Sequence, residues 1–267
     1  MKLQHIQETL AGLKKQIYKY FYTTERQWQK FTQKINNYEN EGIWVFLIAC
    51  GYALGEQKGL NILTKILTGS EQEQPANHKI WFEAEPIPTR KGNEEKNTHM
   101  DLSLGSIAKR FGTQSGIKLD TSNPSWVCFC EAKYNRDISC CVTHDPNRNQ
   151  LIRVIDNAIC FQDNGIYAER VYVTVITPKA YEHRRPLLES KLKEYQGKLS
   201  VIVDIERCQL SKRNSDDWLY PEDLAKRARV LSLRRVFFEE LINELPDSEV
   251  SNQIKELWSN LLKVHGY

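Results

Sequence analysis

The sequence predicts an α/β fold in which a central mixed β-sheet is flanked by helices, with helical extensions at both ends. Three observations lead there. Segments of strand character and segments of helical period alternate along the middle of the chain. One of those strands, residues 126–133, is apolar on both parities, as a strand covered on both faces must be. The chain has 267 residues, 40% of them hydrophobic, enough to enclose a substantial core in one domain.

Residues 5–37 place Leu10, Leu13, Ile17 and Tyr20 or Phe21 at helical spacing, which predicts a helical amino-terminal extension over 1–37. A strongly apolar helix follows over 43–54, with Ile43, Phe46, Leu47, Cys50 and Leu54 on its inner face. Four places before Ile43 on that face stands Glu39; Glu41 is its rival. A second helix is expected over 60–67, and the polar stretch 69–78, which includes Pro75, reads as a surface loop.

Strands are predicted over 79–85, closed by Pro86 and Pro88, and over 100–104, after a charged connection. The Gly, Ser and Thr content of 112–124 predicts a loop leading into the central strand 126–133. Asn147 and Asn149 supply capping chemistry for a helix over 149–161 whose core stripe is Leu151, Val154, Ile155, Ala158 and Ile159. A strand over 170–176, a helix over 187–195 and a strand over 199–205 complete a core expected to span 38–206. Helices over 221–245 and 248–264 make 207–267 a helical region.

Seven cysteines, including Cys128 and Cys130 read as facing opposite sides of one strand, lack Cys-x-x-Cys spacing, so reduced, buried thiols are expected rather than a zinc or iron-sulfur site. No apolar run reaches the length of a membrane span, and the amino terminus has no signal-peptide block, so a cytoplasmic protein is expected. The formal net charge is only +3, yet basic residues crowd the final third.

The chemistry-bearing residues are Asp101, in the run His99-Met100-Asp101-Leu102, and the triplet Glu131-Ala132-Lys133 at the end of the central strand. Glu131 and Lys133 are two apart and share a face, while Ala132 turns into the opposite layer. Two carboxylates and an ammonium on neighbouring strands can hold a hard divalent cation and position a water to attack phosphate.

On these residues and this element order the chain resembles the restriction-endonuclease-like, or PD-(D/E)xK, phosphodiesterase superfamily, over roughly residues 39–176. The residue before Asp101 is Met100 rather than the proline of the family name. The resemblance implies a restriction-endonuclease-like core and a metal-dependent DNA endonuclease using Mg2+ or Mn2+. Asp101 and Glu131 would bind the metal and Lys133 would assist the attacking water. It further implies a glutamate from the first core helix, Glu39 or Glu41, with Gln150 as an active-site neighbour and Arg148 as a phosphate contact.

DNA is the implied partner, with Arg184, Arg185, Lys212 and Arg213 of the basic final third as backbone contacts. A restriction or other defence enzyme acting as a homodimer is the leading expectation. A repair or recombination nuclease acting on branched or single-stranded DNA is the alternative, as is an inactive member of the fold that binds DNA or a protein.

Overall fold

The computed structural model describes residues 3–23, 25–33, 40–74, 79–87, 98–142, 147–210 and 224–264. Helix α1 (Leu3–Tyr18) runs into the short strand β1 (Phe21–Tyr22), and helices α2 (Glu25–Gln33), α3 (Glu41–Leu54) and α4 (Glu56–Thr68) follow. Strands β2 (Ile80–Ala84) and β3 (Met100–Gly105) lead to a hairpin of β4 (Ile107–Lys109) and β5 (Ile117–Leu119), then to β6 (Trp126–Ala132). After α5 (Gln150–Ile159) come a hairpin of β7 (Gln162–Asp163) and β8 (Ile166–Tyr167), strand β9 (Arg170–Thr177), and helices α6 (Pro186–Tyr195), α7 (Lys198–Leu210) and α8 (Leu224–Arg229). Strand β10 (Leu231–Phe237), α9 (Phe238–Asn243) and α10 (Glu249–Val264) complete the described chain.

The central sheet has six strands in the order β1-β2-β3-β6-β9-β10. Strands β2, β3 and β6 are mutually antiparallel, whereas β9 runs parallel to β6 and β10 parallel to β9. A parallel neighbour needs a crossover, and α5 supplies it between β6 and β9.

Alternation along β6 divides the interior into two cores. Trp126, Cys128, Cys130 and Ala132 face α3, α4 and α10, while Val127 and Phe129 face α5. Helix α3 is buried from Ile43 through Ala53 on every side, which accounts for a sequence too apolar for a half-exposed helix. At the far end of β3, Gly105 adopts φ +112, and a Cβ there would stand 2.4 Å from the Trp126 carbonyl oxygen. Glycine is what lets the chain leave the sheet against β6 at that point.

Five expectations are corrected. Residues 199–205 are not a strand but part of α7: Val201, Asp204, Ile205 and Cys208 are buried at helical spacing. Asp204 can face inward because it accepts the Tyr195 hydroxyl at 2.5 Å and lies 3.2 Å from Lys191 Nζ. The expected carboxy-terminal helical region instead contributes an edge strand, β10, in full register with β9. The loop expected over 112–124 contains β5, paired with β4. Cys128 and Cys130 share one face, their Sγ atoms 3.8 Å apart, since residues two apart on a strand point the same way; Cys140 and Cys141 are exposed rather than buried.

Candidate active site

Strand pairing brings the predicted triad together. Leu102 pairs with Cys130 in the antiparallel β3–β6 ladder, so Asp101 stands opposite Glu131 at the next position. Asp101 Oδ2 accepts the Ala132 backbone N–H at 2.7 Å, which ties the carboxylate to the middle of the triplet. Glu131 Oε1 is held from two sides, by Lys133 Nζ at 2.9 Å and by Gln150 Nε2 at 2.5 Å. Among the described residues nothing donates to Asp101 Oδ1 or Glu131 Oε2.

Gln150 is the first residue of α5. Asn149 caps that helix by accepting the Ile152 N–H at 2.9 Å, and its side-chain amide donates to the Tyr195 hydroxyl at 2.7 Å. The Gln150 backbone N–H donates to the Ser139 carbonyl at 3.0 Å. These bonds fix the start of the helix and therefore the direction of the amide that meets Glu131.

A third carboxylate comes from the amino end of α3: Glu41 Oε1 lies 3.5 Å from Lys133 Nζ. Asn40 caps α3 through the Gly42 N–H, so Glu41 sits in the first turn, beside the end of the central strands that carries the triad. The favoured candidate, Glu39, lies outside the described residues.

Arg153, which sequence reasoning missed, is one turn beyond Gln150 on α5; its Nε is buried without a hydrogen-bond partner among the described residues. The i, i+3 spacing from Gln150 is the signal that could have found it. Burial lowers its pKa, against which Glu131 and Asp101 favour its charge, while Arg148 opposes it.

The electrostatics follow from three carboxylates gathered around few cations. Burial, then the Glu131 carboxylate, push the Asp101 carboxyl well above the usual range, against the Ala132 N–H bond and Lys133. For Lys133, burial disfavours the ammonium, but Glu131, Glu41 and Asp101 outweigh it and hold its pKa above the ordinary lysine value.

The backbone is strained beside the site. Glu83, in β2 at the position facing Asp101, has φ +45, a left-handed conformation that costs a non-glycine residue about 1–3 kcal/mol. It resets the alternation of the strand: Ile80 and Phe82 lie in the α3 core, whereas Ala84 lies in the α5 core. Its partner strand switches between Leu102 and Met100, so Asp101 occupies the discontinuity. Two residues before Asp101, His99 pairs with Glu85 at 3.2 Å.

Other predicted residues are placed elsewhere. Arg148 is buried and ion-paired with Asp156 at 2.5 Å, so it is a core residue rather than a phosphate contact. Arg185 is likewise buried, donating to the carbonyls of Tyr134 at 2.8 Å and Pro178 at 2.6 Å. Arg184 is exposed, its guanidinium 5.0 Å from the centroid of the Tyr181 ring. Lys212 and Arg213 lie outside the described residues.

Among the described residues no group of three or more His, Cys, Asp or Glu side chains forms a ready metal cage. The donor chemistry nonetheless fits a hard divalent cation: two facing carboxylates, each with one oxygen fixed by the protein and one open, suit an ion that keeps most of its waters. No described helix is long and apolar enough to cross a membrane. Comparisons with protein-family models, with curated proteins and with solved structures find no match to this chain.

Proposed function

We propose that this protein is a metal-dependent endodeoxyribonuclease with a PD-(D/E)xK site, of the defence or restriction kind. The observation that carries this reading is the pairing of Asp101 with Glu131 across β3 and β6, with Lys133 2.9 Å from Glu131 and Gln150 bracing the same carboxylate. Such a concentration of partly buried charge costs the empty protein stability, a cost that sites built for a charged ligand carry. Asp101 and Glu131 would hold Mg2+ or Mn2+, which when bound supplies Lewis acidity toward a phosphodiester and an acidified water.

The chain's own groups do the rest. Lys133 is kept protonated and can neutralise charge developing on the phosphate or hydrogen-bond the incoming water. Gln150 holds Glu131 Oε1, so that Oε2 keeps one direction. Glu41, partly exposed at the rim, balances the ammonium and holds it in place.

The test is incubation of the purified protein with supercoiled, linear and single-stranded DNA and with RNA, in Mg2+, Mn2+ or chelator. Lys133→Ala and Glu131→Gln are run beside it. Metal-dependent cleavage of DNA is expected, falling at least about 100-fold in each variant while DNA binding persists. Failure to cut any substrate, or unchanged cleavage by both variants, refutes the assignment.

A further inference from the structure

Phe111 is fully exposed at 100% of its available surface, the most exposed of the large apolar side chains among the described residues. A single exposed apolar residue ordinarily needs no explanation. Three features set this one apart.

The first is rigidity. Thr113 donates both its backbone N–H, at 3.4 Å, and its hydroxyl, at 2.7 Å, to the Arg110 carbonyl, closing a four-residue turn with Phe111 at its second position. Gly112 at the third position has φ +77, the left-handed conformation that a type II turn requires there and that glycine adopts freely. The turn holds the Phe111 backbone at its corner, and the ring stands clear of the protein.

The second is anchorage. The β4–β5 hairpin folds back onto the end of β2: the Glu85 N–H donates to the Ser115 carbonyl at 2.9 Å and the Ile117 N–H to the Glu85 carbonyl at 2.8 Å. Glu85 in turn pairs with His99, two residues from Asp101. Glu85 continues β2, the immediate neighbour of β3, so the hairpin strand bonded to it lies two strand spacings, about 10 Å, from the strand that carries Asp101.

The third is charge. Lys109 and Arg110 precede the ring, and neither forms an ion pair among the described residues. Lys109 is exposed, its ammonium 5.5 Å from the centroid of the Tyr22 ring, which stacks on Trp81 at 3.9 Å. Unneutralised cations beside a displayed aromatic ring match a strand that offers phosphates and an accessible base face.

We propose that the Lys109-Arg110-Phe111 turn is a nucleic-acid contact in which Phe111 stacks on an unpaired or unstacked base, delivering single-stranded or branched DNA to the carboxylate site. The inference rests on the nuclease reading and, within it, favours selection of strand state over sequence-reading restriction. Base stacking on a protein aromatic ring is sequence-tolerant, since every base has a π-face, so the contact selects strand state rather than sequence.

The experiment measures binding of a short fluorescein-labelled DNA strand, alone and as a blunt duplex, by anisotropy in chelator. Full-length wild type, Phe111→Ala and Phe111→Trp are compared, and a 2-aminopurine-substituted strand reports stacking. Wild type is expected to bind the single strand more tightly than the duplex and to quench 2-aminopurine. Phe111→Ala weakens single-strand binding about 10-fold to 100-fold and loses the quench, and Phe111→Trp restores both. Because the ring packs against nothing, Phe111→Ala should unfold at the wild-type temperature, which separates a contact from a folding defect.

Equal single-strand binding by wild type and Phe111→Ala overturns the proposal while leaving the nuclease reading intact if wild type still cuts DNA with metal. A wild type that neither binds nor cuts DNA removes both. A Phe111→Ala variant that changes oligomeric mass by light scattering, with DNA binding unaltered, also overturns it and makes the ring a contact between copies.

Discussion

At a pH above the raised titration range of the Asp101 carboxyl, replacing it by asparagine removes one negative charge from the carboxylate cluster with little change of shape, and the acceptor for the Ala132 N–H can be kept. Directly opposed positions on antiparallel strands put carboxylates roughly 5 Å apart. At an effective dielectric of about 20, two such charges repel by about 3 kcal/mol. The attraction to Lys133 that disappears with the charge offsets part of this, leaving Asp101→Asn about 1–2 kcal/mol more stable than wild type in chelator. For a chain of this size that is a rise in melting temperature of about 2–8 °C, read by the fluorescence of the buried tryptophans.

Metal reverses the order. A cation bound between Asp101 and Glu131 at 100 times its Kd stabilises wild type by about 2.7 kcal/mol, and the asparagine variant should respond far less. A site that destabilises the empty protein and is rescued by its ligand has this signature, whereas a purely structural carboxylate does not. The reasoning is refuted if Asp101→Asn melts below wild type in chelator and wild type ignores millimolar Mg2+ and Mn2+.

Gln150→Ala should weaken metal-dependent cleavage about 10-fold to 100-fold with a small change in unfolding midpoint, checked by kinetics beside urea titration, because it removes an orienting bond to Glu131. Asp156→Ala should cost about 3–5 kcal/mol in urea denaturation, since it strands the buried Arg148 guanidinium; a loss under about 1 kcal/mol would mean that Arg148 is not committed to the core. Native protein treated with a maleimide should gain two labels, on exposed Cys140 and Cys141, by intact mass. The buried Cys50, Cys128, Cys130, Cys160 and Cys208 should react only after unfolding.

What could be read in the sequence was whatever depended on neighbours a few residues away. The apolar run of β6 and the same-face projection of Glu131 and Lys133 follow from strand geometry alone, as does the amphipathic stripe of α5. Errors arose where a distant partner reverses the local preference. Residues 199–205 look like a strand because β-branched residues crowd there; the helix emerges only once Asp204 is known to be satisfied by Tyr195 and Lys191.

Strand β10 was hidden by Arg234 and Arg235, which suggested an exposed helix. Arg235 instead meets Glu182 at 3.0 Å and Glu189 at 2.6 Å, some fifty residues upstream. Arg148 and Arg185 are charges whose partners lie elsewhere in the chain or on the backbone, so composition alone sends them wrongly to the surface. At the site, Glu41 stood second to Glu39 because counting back along the interior face of α3 passes the helix start, which Asn40 marks. The strain at Glu83 has no local signal.

The chain leaves β3 at Gly105 and re-enters β6 directly across from it, at Val127. Everything between, including the hairpin that carries Phe111, is an excursion whose two ends are already paired. The length and content of its outer turn, residues 111–114, can change without shifting the alignment of Asp101 with Glu131, whereas a single insertion inside either strand would turn the carboxylates to opposite sides of the sheet. The architecture thus separates an outer turn free to diversify from an alignment that is locked: residues 111–114 could be exchanged while Asp101 and Glu131 stay opposed and the buried Ile107, Ile117 and Leu119 hold the hairpin in place.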